Sequence, residues 1–147
     1  GAAQGGAVRL REGAVFEALG CSFVKNRALG PGDVDAPGSV FFVGGSSTRS
    51  AALRLVNCLV APLEAAEAVL QRGPFAEVAV HSSWVPESMR AYAGPDSRCG
   101  PVALSPSLAP LTQGANADVA AWAAGASVTL DGQPRTAAVG AFNVRAQ

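Results

Sequence analysis

The chain has 147 residues, is 49% hydrophobic and 15% charged, and its eleven basic and eleven acidic side chains cancel. That length and apolar content exclude intrinsic disorder, and the absent net charge excludes a whole-molecule field that would recruit nucleic acid or anionic lipid. No run of about eighteen apolar residues is present to span a membrane as a helix.

In chain order, Ala7 to Leu10 suits a short strand, Gly13 to Leu19 a turn or single helical turn, and Ser22-Phe23-Val24 a brief apolar patch. Pro and Gly then punctuate a loop from Gly30 to Gly38. Residues 1–38 thus read as an N-terminal extension ahead of an α/β domain at 39–147. Ser39-Val40-Phe41-Phe42-Val43 is a continuous apolar run, as for a strand covered on both faces. The following Gly44-Gly45-Ser46-Ser47-Thr48-Arg49-Ser50 leaves two continuations open. Either Ser47 or Thr48 caps a helix to about Cys58, or the chain enters a strand at Leu53. The strand is preferred because Pro62 gives the next helix its own start.

That next element reads as a helix over 62–72, with Pro62 at its first position and Gly73 just past its end. Phe75 to His81 alternates with the two-residue period of a half-buried strand, completing a β-α-β unit. A polar stretch from Ser83 to Gly100 holds one expected helical turn at Glu87 to Tyr92, and Pro101 to Leu104 suits a short strand. Ser107 is placed to cap a turn at Leu108 to Leu111, and Asn116 a helix at Ala117 to Ala124. Asp131-Gly132 signals a two-residue hairpin whose return strand runs from Arg135 to Val144, at a sheet edge because of Pro134. No internal repeat stands out. The order predicts a ferredoxin-like β-α-β-β-α-β core with an N-terminal extension and a C-terminal β-hairpin.

Within that order, Ala52-Leu53-Arg54-Leu55-Val56, followed by the segment Leu59 to Val69, resembles the opening of bacterial microcompartment shell domains. Gly100 to Leu111 is similar to their third strand and second helix start. The chain has Val60 and Ala61 where the family has an edge lysine. A longer segment with Trp84, Met89 and Tyr92 replaces the short glycine-serine pore loop. The resemblance implies a hexameric or pseudohexameric tile packed edge to edge, with a pore lined from Ser83 to Arg98.

Functional candidates are few. Gly44, Gly45, Ser46, Ser47, Thr48 and Arg49 follow an apolar strand, so glycine-turn amides, hydroxyls and a guanidinium would cradle an anion; the alternative is a plain connection. Ser83, Trp84, Met89 and Tyr92 are partner or pore contacts, or they fold back over the sheet. His81 is the sole histidine, placing any base-assisted hydrolase or transferase chemistry there, with Cys58, Cys99 or a neighbouring serine as nucleophile. One histidine leaves too few ligands for a transition metal, and no cofactor or catalytic residue is expected.

Cys21, Cys58 and Cys99 form no C-x-x-C pair, which favours a cytoplasmic or other reducing intracellular setting. The start, without methionine, resembles a processed or tag-trimmed end and is compatible with a cleaved targeting segment. The leading expectation is a soluble, non-catalytic structural subunit of a self-assembling shell or homo-oligomer. A small anion- or phosphate-binding domain is the first alternative.

Overall fold

The computed structural model describes residues 4–33, 38–64, 68–112 and 128–146. Nine strands lie in three successive trios. The first is β1 (Val8–Leu10), β2 (Val15–Leu19) and β3 (Ser22–Val24). The second is β4 (Phe41–Val43), β5 (Ala51–Val56) and β6 (Leu59–Ala61). The third is β7 (Leu70–Arg72), β8 (Ala76–His81) and β9 (Trp84–Val85), with β10 (Arg98–Cys99) beyond it. Each strand pairs in parallel with its counterpart one trio away, giving sheet A (β1-β4-β7), sheet B (β2-β5-β8) and sheet C (β3-β6-β9-β10). The backbone therefore winds through sheets A, B and C once per coil. This is a parallel β-helix.

Alternation within the strands sends one set of side chains into the coil stack. On sheet B, Phe16, Leu53 and Val78 share one inward column, and Ala18, Leu55 and Val80 the next. They meet Phe41 and Val43 from sheet A and Val60 and Val85 from sheet C in one core. Phe23 packs edge-on against Phe41, with ring centroids 4.9 Å apart, tying the first coil to the second across the interior.

The corner between sheets B and C has two residues in each of the three coils. Its first residue is left-handed every time: Gly20 at φ 63°, Asn57 at φ 54° and Ser82 at φ 46°. This turn is repeated because register carries it from coil to coil: the Gly20 N–H donates to the Val56 carbonyl and the Asn57 N–H to the His81 carbonyl. A left-handed conformation costs an ordinary L-residue about 1–2 kcal/mol, and Asn tolerates it better than most. Asn57→Ala is expected to lower unfolding stability by about 1–2 kcal/mol, while Asn57→Gly costs less, as read by urea denaturation.

After β9, a 3-10 turn (Glu87–Tyr92) crosses the last coil, with Met89 fully buried in the core and Ala93 bridged in parallel to Val80. Described residues of the C-terminal part cover the outside of sheet C. That part contains β11 (Ala103–Leu104), β12 (Pro110–Thr112), β13 (Ala138–Val139), β14 (Phe142–Asn143) and β15 (Arg145–Ala146). Leu59 and Trp84, which point away from the main core, pack against Val139, Val102, Leu104 and Val144. The Gly140 N–H donates to the Asn57 carbonyl at 2.6 Å and the Ala141 N–H to Ser22 Oγ at 2.9 Å, fastening this cover to the B–C corner.

The fold differs from the α/β ferredoxin-like expectation: strands dominate, and no helix reaches seven residues among the described residues. The expected 62–72 helix fails because its end is claimed by sheet A. Leu70–Arg72 is β7, in register with Phe41, Phe42 and Val43, and Val69 is buried with its carbonyl accepting from Val40 and Phe41. Burial and ladder bonding outweigh the few tenths of a kcal/mol per residue by which Ala, Glu and Leu favour a helix. Pro62 instead follows the end of β6. Within the expected turn at Gly13 to Leu19, Val15–Leu19 forms β2. The expected cap at Ser107 precedes a strand, since Ser105 Oγ accepts from the Ala109 N–H and β12 follows. Around Asp131-Gly132 the antiparallel bridge joins Val128 to Pro134, a wider turn than two residues, and the return strand is broken by the tight turn at Gly140. The expected helix at 117–124 lies outside the described residues.

Candidate functional site

Two features of the coil stack are open to an outside molecule. The first is the edge formed by β1, β2 and β3, since each is the terminal strand of its sheet among the described residues. The Gly20 N–H donates to Val56 O and the Ala52 N–H to Ala14 O, both at 2.9 Å. Ladder alternation therefore turns the amides and carbonyls of Val15, Glu17 and Leu19 away from β5, toward the open side. Three of the inward residues are also incompletely covered, while Leu10 and Ala18 are buried. Val8, Phe16 and Phe23 are half-buried, whereas Phe41, Leu53 and Val60, their partners one coil along, are fully buried. On the outer face of β2, Val15 is 75% and Leu19 58% exposed, flanking Glu17, which pairs with Arg54 at 3.3 Å.

The second feature is an open depression of about 500 Å³ at the corner between sheets A and B, lined by Arg11, Glu12, Phe42, Gly44, Gly45 and Pro74. Here three successive A–B turns lie one above another: 11–14, 44–50 and 73–75. Arg9 stacks on the Phe42 ring, 5.8 Å from its centroid. The Arg49 side chain lies against Gly13, close enough that a methyl on Gly13 would sit 3.3 Å from Nε. Arg72 straddles the third turn, donating from Nε and Nη2 to the Ala76 carbonyl at 3.2 and 2.9 Å. Arg11 and Arg49 form no ion pair among the described residues.

The expected anion-cradling loop thus sits beside this depression, but its glycine amides do not face a ligand. The Gly44 N–H donates to Leu10 O and the Gly45 N–H to Pro74 O, while Ser46 and Arg49 exchange backbone bonds. Ser46 Oγ also accepts from the Arg49 N–H and lies 3.3 Å from Thr48 Oγ1, and Ser47 is exposed. Gly44 and Gly45 contribute shape; the donors at this corner are guanidinium groups. Sequence reasoning missed Arg9, Arg11, Phe42 and Pro74 because they come from three different coils.

Ser83, Trp84, Met89 and Tyr92 do not form an exposed contact loop. Ser83, Trp84 and Met89 are buried and Tyr92 half-buried. Trp84 is a sheet C residue beneath the C-terminal cover, its Nε1 donating to Gly100 O at 3.2 Å and its ring carrying the Arg98 guanidinium at 4.4 Å. The Ser83 hydroxyl donates to His81 O and accepts from the Cys58 N–H.

His81 is on the outer face of sheet B, exposed, whereas Cys58 is fully buried on the inside. The Cys58 thiol donates to the Ala18 and Val56 carbonyls at 3.3 and 3.4 Å, and burial pushes its pKa up to about 11. Cys99 is half-buried and likewise pushed up by burial. Ser82 Oγ donates directly to Asp96 Oδ2 at 2.5 Å, holding that carboxyl below its ordinary value, with the His81 charge adding to the effect. A base must reach its nucleophile, and among the described residues no thiol or hydroxyl is hydrogen-bonded to the His81 ring.

The three cysteines are free thiols. Among the described residues there is no cluster of three or more His, Cys, Asp or Glu able to hold a metal ion, and no helix is long and apolar enough to cross a membrane. No protein family matches the chain, and no curated protein or solved structure does.

Proposed function

We propose that this chain is a non-catalytic structural subunit that associates with a second copy through the open edge of its first coil. The observation that carries the reading is the contrast between half-buried Val8, Phe16 and Phe23 and their fully buried partners in the next coil. An added layer of strands would complete that burial and pair the outward amides of β2, the two things an unprotected strand edge lacks. β2 carries one charged residue and neither Pro nor Lys, so nothing in it blocks pairing. At the far end of the stack, Met89 of the 3-10 turn is buried in the core and Ala93 bridges Val80, so part of that end is already covered. Two copies that pair through the same edge form an isologous contact, which closes as a dimer. A two-fold axis through β2 sets β2 antiparallel to its copy and β1 against the copy's β3, matching three-residue strands to each other. The free thiols fit a reducing compartment.

Sedimentation equilibrium at micromolar concentration tests this: a dimer is expected, and a monomer throughout the range would sink the reading. Val15→Lys with Leu19→Lys places like charges across the paired edge at two exposed positions. That variant is expected to keep the circular dichroism of the parent and to sediment as a monomer.

A further inference from the structure

We propose that the A–B corner depression is a binding site for a small oxyanion carried on a flat ring, such as an aryl phosphate or aryl carboxylate. This rests on different residues from the edge pairing and stands independently of it. The chain is neutral as a whole, yet Arg9, Arg11, Arg49 and Arg72 gather around one corner, with Glu12 the only carboxylate in the depression's lining. Such a local excess of positive charge in a neutral molecule focuses field on a concave surface and attracts anions.

The surroundings select the rest of the ligand. Phe42 projects outward from sheet A, half-buried, and with Pro74 offers an apolar wall beside the guanidinium groups. Gly44 and Gly45 keep that wall accessible. A β-carbon on Gly44 would lie 3.2 Å from the Phe42 ring, and one on Gly45 would meet the backbone of 49–51 at 2.6–2.7 Å. Arg11 lines the site without an ion pair of its own among the described residues, so its planar fork is available to take two oxyanion oxygens at once. The Gly44 and Gly45 amides that line the depression are committed to the neighbouring coils, and those of Ser46 and Arg49 to each other's carbonyls, which makes Arg11 the principal donor in the lining. Glu12 discourages a second negative charge at its end of the depression and suits a hydroxyl on the ring's far side.

The test is a titration of the full chain with phenyl phosphate and with inorganic phosphate, followed by the amide resonances of Gly44 and Gly45. Saturable shifts are expected with both, with phenyl phosphate the tighter. Arg11→Gln is expected to weaken phenyl phosphate by about tenfold or more, the loss of one charge-assisted hydrogen bond. Phe42→Leu is expected to narrow the difference between the two probes. Unchanged thermal unfolding in each variant separates loss of binding from loss of fold. The proposal is overturned by unsaturable shifts, by Arg11→Gln binding as tightly as the parent, or by equal affinity for the two probes.

Discussion

Gly140→Val is expected to loosen the C-terminal cover from the coil stack and to cost about 3 kcal/mol or more of unfolding stability. Gly140 has φ +83°, a conformation that a β-branched residue does not tolerate. Space is equally short. A β-carbon there would lie 2.8 Å from the Leu59 β-carbon and closer still to Ser22 Oγ. Those are the atoms over which the cover closes, since the Gly140 N–H bonds Asn57 O and the Ala141 N–H bonds Ser22 Oγ. The displaced segment uncovers Leu59 and Trp84, so a red shift in tryptophan fluorescence should precede global unfolding. Gly140→Ala should show the same signs to a smaller degree. Stability equal to that of the parent would mean that the cover is not held at this turn.

The second large effect is alkaline. Burial raises the Cys58 pKa from 9.0 to about 11, so the folded state holds its proton where the unfolded chain releases it. The contribution is whole below about pH 9, and stability falls as the pH rises toward 11. Two units correspond to roughly 2–3 kcal/mol across that window. Cys58→Ala removes this dependence, so its stability should decline less steeply between pH 9 and 11, whatever constant offset the smaller side chain adds. Parallel curves for the two proteins would contradict the assignment. At neutral pH, a thiol reagent should modify Cys58 only on unfolding.

Much of the strand content is legible in the sequence, while the architecture is not. Val8–Leu10, Ala51–Val56 and Ala76–His81 all fall where apolar runs or alternation place strands. β5 and β8 are parallel neighbours, as the ends of a crossover unit can be. What misleads is the crossover itself. Parallel strands are usually joined by a helix, and the Pro62-to-Gly73 bracket with its alanines matches one. In this chain, two three-residue strands, β6 and β7, lie along the crossing. Strands that short show no period of their own; pairing with a neighbouring coil is what creates them.

The repeat is hidden by uneven spacing. Val15 lies beside Ala52 and Ser22 beside Leu59, 37 residues on, whereas Ala51 lies beside Ala76 and Leu59 beside Trp84, 25 residues on. Aligned on the B–C corner, however, Leu19-Gly20-Cys21-Ser22-Phe23, Val56-Asn57-Cys58-Leu59-Val60 and His81-Ser82-Ser83-Trp84-Val85 share one grammar. Each has an outward residue, a residue suited to the left-handed turn, a small sulfur or oxygen side chain, and an inward apolar residue two places later. That signal was available without coordinates. The A–B corner depression was not, because Arg11, Phe42 and Pro74 become neighbours only once the register is known.

The contrast between corners also says how the molecule can change. The two-residue bend recurs without variation, while the A–B connections run to four, seven and three residues and leave every ladder in step. Length added at Ser47 or Thr48 would loop outward without shifting any strand. Grafted peptides and new recognition segments therefore have a natural port there, next to the arginines, on a chassis that need not be redesigned to carry them.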